Sequence, residues 1–164
     1  MKPESPGYTL VELLAVLAIL GLMTALAWPR FQTAADNLAL RQDAAILERE
    51  LRLARQNAIT MNKECDVVFK ASVTGLKSTS YQIRQGSNLR TVNLHRGVET
   101  VGTTFPRDPV NPYDARRSAC RFLPLGTPTQ GGTVQLRNNN GLSLYIAVTP
   151  VTARVRITET DPRI

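Results

Sequence analysis

The residues whose types and spacing bear on chemistry are few: the pair Arg154-Val155-Arg156, Glu12 at the head of an apolar run, His95, Cys65 and Cys120. None of them reads as a catalytic apparatus. His95 is the single histidine, with no cysteine or carboxylate next to it. A lone histidine of this kind is more often a surface or packing residue than a catalyst. The 13 carboxylates are scattered without an acid/base pair, and no GxSxG or Gly-rich phosphate loop occurs. These features point away from an enzyme. The two cysteines form no CxxC or Cys/His cluster, so neither a structural zinc site nor any other cofactor site is expected. They either pair across a loop of about 56 residues, for ~4 kcal/mol on the chain-entropy model, or stay as two buried thiols. Spacing leaves both states open.

Arg154 and Arg156 are two apart, so on a strand they project from one face while Val155 and Ile157 take the other. Two parallel guanidinium groups suit backbone phosphates. The competing reading is an edge strand guarded by charge against aggregation. Charge distribution favours an acidic partner. The formal net charge is +7, and between Val67 and Thr158 twelve basic residues face only Glu99, Asp108 and Asp114. Arg116 and Arg117 lie in a Pro- and Arg-containing stretch and are weaker candidates for the same contact. Aromatics make up only 5% of the chain and form no stacking row. The acidic partner is nucleic acid, anionic lipid or an acidic subunit, and a contact with nucleic acid is expected to be phosphate-led, salt-sensitive and nearly indifferent to sequence.

The elements that position these residues follow from periodicity. Leu13 to Trp28 is apolar almost throughout, and with Leu10 and Val11 it approaches membrane-spanning length. Glu12 interrupts it at a cost of roughly 2.5–3.5 kcal/mol on insertion scales, so it needs a partner. Pro29 is expected to kink the helix. Leu40, Ala44, Leu47, Leu51, Ala54 and Ala58 then repeat at helical spacing, with Arg41, Asp43, Glu48, Arg49, Arg52 and Arg55 on the opposite side. Beyond Asn62 the pattern predicts strands at Cys65–Lys70, Ser80–Gln85, Leu89–Leu94, Arg121–Pro124, Gly132–Arg137, Leu142–Val148 and Thr152–Thr158. An Asn-Gly turn at Asn140-Gly141 joins two of them as a hairpin. Thr103 to Ser118 reads as a long exposed loop. The fold class is α+β: a long N-terminal helix packed against a C-terminal antiparallel β domain. The divisions are 1–7, 8–29, 30–62 and 63–164.

Gly7-Tyr8-Thr9-Leu10-Val11-Glu12 ahead of the apolar run resembles the processing site of type IV prepilins and pseudopilins. The resemblance implies a leader of residues 1–7, cut after Gly7 by a prepilin peptidase that N-methylates Tyr8. It implies that Glu12 neutralises the N-terminal amine of a neighbouring subunit during filament assembly, and a buried carboxylate becomes tolerable once so paired. Tyr8 stands where Phe is usual, and the leader's Lys2 and Glu4 cancel. A secretory signal ending at Ala25-Leu26-Ala27 and a plain membrane anchor are the alternatives, and neither uses Glu12. Arg121 to Thr127, Gly131 to Leu136 and Ala153 to Ile157 are similar to the C-terminal half of FimT/GspH-type minor pilins. That family implies a head of two small sheets in the periplasm, held at the inner membrane by the first half of the helix, with other pilins or pseudopilins as partners. Some FimT-like members bind DNA through Gly-Arg-x-Arg; here Ala153 replaces the Gly. The expected function is a FimT-like minor pilin that contacts DNA during natural transformation. The alternative is a GspH-like pseudopilin of type II secretion that touches protein only.

Overall fold

The computed structural model of the chain describes residues 9–70, 77–111, 114 and 117–161. Helix α1 runs from Leu10 to Met61 and includes Pro29. Thr9 begins it: the Thr9 Oγ1 accepts the Glu12 backbone N–H at 3.3 Å. Thr9-x-x-Glu12 has the spacing of a capping box, and an acid in the first turn also suits the helix dipole. At the other end Asn62 takes a left-handed φ of 51°. The Lys63 N–H returns to the Ala58 carbonyl at 3.2 Å, which closes the helix in a Schellman motif.

The chain divides into two compact units between Ala35 and Asp36. In the first, the apolar helix is exposed on all sides. A window of 18 residues has mean hydropathy 2.4 and none of it is buried, a length and composition adequate to cross a membrane. The one hydroxyl in this stretch, on Thr24, donates to the Leu20 carbonyl at 2.8 Å, so the helix satisfies it internally.

The second unit has one core. Leu40, Ala44, Leu47, Leu51, Ala54 and Ala58 of α1 are fully buried and join residues of both sheets in a single cluster. These are the six positions of the expected stripe. Asp43 departs from expectation. Placed by periodicity on the solvated side, it is 3% exposed. Its carboxylate accepts the His95 backbone N–H at 2.8 Å and meets His95 Nδ1 at 2.7 Å. Asp43 therefore ties the helix to the sheet connection, a task that charge patterning does not reveal.

Eight strands follow: β1 (Cys65–Phe69), β2 (Ser80–Gln85), β3 (Asn88–Asn93), β4 (Val98–Thr103), β5 (Ser118–Phe122), β6 (Gly132–Asn138), β7 (Ser143–Val148) and β8 (Val155–Thr158). They form two antiparallel four-stranded sheets, β3-β2-β1-β5 and β4-β6-β7-β8. The expected two-sheet α+β architecture is correct. Three local expectations need correction. β4 was missed because a bulge at Thr100/Gly102 breaks its alternation. β5 begins at Ser118, earlier than Arg121. The last strand begins at Val155, since Val151 and Thr152 make the preceding turn.

The segment after β4 is exposed over most of its described residues, as expected, but it is anchored at two. Phe105 is 2% exposed and Asp108 is fully buried. The segment runs antiparallel along the free edge of β5, where the Ala119 N–H donates to the Pro106 carbonyl at 2.9 Å and the Asp108 N–H to the Arg117 carbonyl at 3.0 Å. β1 lies inside the sheet between β2 and β5, and all five of its residues are buried. Within the sheet Arg84, Asp66 and Arg121 stand directly opposite one another on β2, β1 and β5. Arg84 donates to both Asp66 and Asp108, and Arg121 donates to Asp66 and pairs with Glu64. Burial works against the charge on Arg84, but its bonds to Asp108 and Asp66 outweigh that and raise its pKa. Burial likewise opposes ionisation of Asp108, yet the hydrogen bond from Arg84 holds its carboxyl below the usual range.

Cys65 and Cys120 are buried free thiols on adjacent strands. Burial and then the Asp66 charge push the Cys65 thiol up to about 11. Burial raises Cys120 as well. Thiols so placed are inert near neutral pH.

Candidate nucleic-acid interface

β8 is an edge of the second sheet, paired only with β7. Its side chains alternate as the sequence requires. Val155 faces Val148 across the pair and both are buried. Arg156, opposite Ala147, is exposed, and so is Arg154 just before the strand. Both guanidinium groups therefore leave from the solvent side. Neither forms a hydrogen bond or ion pair among the described residues. Glu159, the nearest acid in sequence, bridges instead to Arg41 of α1 at 3.4 Å.

The corner before β8 holds this pair in place. The Ala153 N–H donates to the Thr149 carbonyl at 3.0 Å, and the Thr149 N–H donates to the Arg154 carbonyl at 3.0 Å. The Thr149 hydroxyl also donates to that carbonyl. This turn requires a left-handed residue, and Ala153 supplies it with φ 52°. The position that is Gly in the DNA-binding motif thus keeps a glycine-like conformation. Ala there costs about 1 kcal/mol in steric strain. Its methyl is buried with the core, at 3% exposure, and recovers ~0.8 kcal/mol. The two terms nearly cancel, so the corner survives the replacement.

The other expected residues are not brought here. Arg117 is half-buried at the start of β5, on the first sheet, where its Nη2 donates to Gln82 Oε1 at 2.6 Å. Arg116, Gly7 and Tyr8 lie outside the described residues. Glu12 is exposed in the first turn of α1. Of the basic residues counted in the head, Arg84 and Arg121 serve internal ion pairs. Lys77 is bound to Glu99 at 2.9 Å and Arg90 to Glu50. The outer face of the second sheet also carries Tyr145, Gln135 and Arg137, which sequence reasoning did not join to the site. The Asn-Gly hairpin held the signal for them, because it sets the β6–β7 register and with it the outward positions. Among the described residues, no group of three His, Cys, Asp or Glu side chains is placed to hold a metal ion.

Comparison with known proteins agrees with this architecture. The model of the family described as type II transport protein GspH matches residues 43–158. That of the prokaryotic N-terminal methylation motif matches residues 5–28. Competence protein ComGD of Bacillus subtilis (strain 168) is 32% identical over 66 residues, which is 40% of this chain. The match spans just under half of that relative, 46% of its length. Among solved structures, the type IV minor pilin FimU of Pseudomonas aeruginosa (strain PAO1) superposes with a TM-score of 0.54 at 12% identity, covering 75% of this chain and 90% of that one. The minor pseudopilin EpsH from the type 2 secretion system of Vibrio cholerae gives 0.50 at 11% identity, with 72% and 94% covered. At these identities the likeness establishes the fold.

Proposed function

Because the chain belongs to the GspH family, as a pilin-like minor subunit of a type IV pilus or a type II secretion pseudopilus, we propose that it serves a pilus and contacts double-stranded DNA through Arg154 and Arg156. The observation that carries this reading is the placement of those two residues. They are exposed on one side at the start of an edge strand, held by a strained corner, with no acid among the described residues taking up their charge. Phosphate oxygens are the ligands that two such guanidinium groups suit. Membership of a competence system, the role named for the Bacillus relative, supports DNA as the ligand.

The rest of the proposal concerns assembly. A prepilin peptidase cuts after Gly7 and methylates Tyr8. The apolar half of α1 holds the subunit in the inner membrane with the head in the periplasm, then packs against other pilins. Glu12 pairs with a neighbour's amine there, which offsets the cost of burying its charge.

A mobility shift with the full chain in detergent micelles tests the DNA contact, across a salt series and beside Arg154→Ala/Arg156→Ala. Binding is expected to weaken with salt. The double variant should lose about ten-fold in affinity and about two from the salt slope. Binding that survives the substitutions moves the contact elsewhere on the basic head. No binding at low salt favours the second reading, a pseudopilin that touches protein alone. That reading draws on the internal ion pairs of Arg84 and Arg121, which reduce the charge available to a ligand.

A further inference from the structure

The outer face of the second sheet has a geometry beyond the arginine pair. Arg156 lies opposite Ala147, Tyr145 opposite both Thr158 and Gln135, and Arg137 opposite Ser143. One step across the sheet and two residues along it therefore separates Arg156 from Tyr145. The same step in the same direction separates Tyr145 from Arg137. With strands about 4.8 Å apart and about 6.8 Å per two residues, each step is on the order of 8 Å. Diagonal neighbours at that spacing lie within reach of long side chains. Arg154, Arg156, Tyr145 and Arg137 thus form one oblique row, on the order of 22 Å from end to end at the backbone.

Each member of the row has its polar end available. Arg137 is exposed. Glu99 stands opposite it on β4, but Lys77 holds that carboxylate at 2.9 Å. The Arg137 guanidinium lies beside Gly141 in the hairpin turn and has no ion pair among the described residues. Tyr145 is half-buried. Strand side chains stand roughly perpendicular to the sheet, so a ring flanked by its neighbours presents its hydroxyl to solvent and not its face. That hydroxyl has no hydrogen-bond partner among the described residues. Gln135, the outward neighbour, is occupied, with its Nε2 donating to Ser143 Oγ at 3.1 Å. The row is a series of donors with no acid on it.

We propose that Tyr145 and Arg137 are further contact residues of this face, and that with Arg154 and Arg156 they track one sugar–phosphate strand obliquely across the sheet. The Tyr145 hydroxyl donates to a phosphate oxygen between the two arginine positions. The inference rests on the DNA reading above and adds to it a direction and two residues. The second sheet, not the basic surface at large, is the docking platform.

Fluorescence anisotropy with the full chain in detergent micelles and a labelled random-sequence duplex tests it. The variants are Tyr145→Phe, Tyr145→Ala, Arg137→Ala and, as an equal charge loss beside β5 of the first sheet, Arg107→Ala. Circular dichroism checks that each is folded. Tyr145→Phe is expected to lower affinity about ten-fold, as for loss of one donor to a charged group. Arg137→Ala should remove about one from the salt slope and weaken binding more than Arg107→Ala does. Equal effects of Arg137→Ala and Arg107→Ala overturn the track, since only general charge then matters. A Tyr145→Phe variant that binds as the native chain does, while Tyr145→Ala does not, overturns the hydroxyl contact. Both results leave the Arg154/Arg156 contact standing, whereas a native chain that binds no duplex overturns that contact and the track with it.

Discussion

Asp108 shows how one side chain sets the character of a whole segment. It is fully buried, and Arg84 donates to it from below while the Val110 N–H caps it at 3.1 Å. A carboxylate so placed depends on its partner, because removing one member of a buried pair leaves the other charge stranded. Its pKa is lower folded than unfolded. The sign of the linkage follows: this stabilisation is fully present above the unfolded value, about 3.9, and is lost as the pH falls through the depressed folded value. Thermal unfolding followed from pH 7 down to pH 2 should show that loss only in the acid limb. Asp108→Asn should lower the melting temperature at pH 7, by about 3 kcal/mol in stability, and flatten the acid limb. An unchanged acid limb would show that Asp108 is not among the groups that titrate on unfolding.

The β7–β8 hairpin joins a backbone requirement to a binding surface. Its corner needs a left-handed residue, and alanine meets that need at small net cost because its methyl is buried. A β-branched residue has no such compromise, since φ near +50° is a genuine outlier for it. Ala153→Val is expected to destabilise the head by about 2 kcal/mol, read as a lower urea midpoint, and to weaken duplex binding by turning Arg154 off its face. Ala153→Gly should stay within about 1 kcal/mol of the native chain, as relief of strain is offset by the lost methyl and the freer unfolded chain. If Ala153→Val binds and melts normally, the corner does not control the arginine pair. Elsewhere the turns use glycine where it is needed, at Gly86 and Gly141, both with positive φ.

Across the whole molecule, stability and solubility separate along the sequence. All the residues of the core cluster lie at Leu40 or beyond, and the described apolar residues before Ala35 are exposed. A chain beginning at Asp36 should therefore be soluble without detergent and unfold in one cooperative transition. Its midpoint should lie within a few degrees of that of the full chain in micelles. A large drop would show that the apolar half contributes to the stability of the head. Much of this organisation was legible beforehand, because hydrophobic periodicity is a local property. It marked the apolar half of α1, the six buried positions of its second half and the alternation that puts Arg154 and Arg156 on one face. What pairing and burial decide was not legible. Asp43 and Asp108 look like surface acids until the fold surrounds them. Arg84 and Arg121 look like free charge until Asp66 is placed between them. β4 hides behind its bulge. The amino-acid sequence by itself determined the membrane-length helix, the strand-rich head and the excess of positive charge. Only the tertiary structure decided which of those charges are internal and which are presented, and that the arginine pair shares a face with Tyr145 and Arg137. The physical reason is that periodicity acts over neighbouring residues, whereas register and ion pairing are set between segments tens of residues apart.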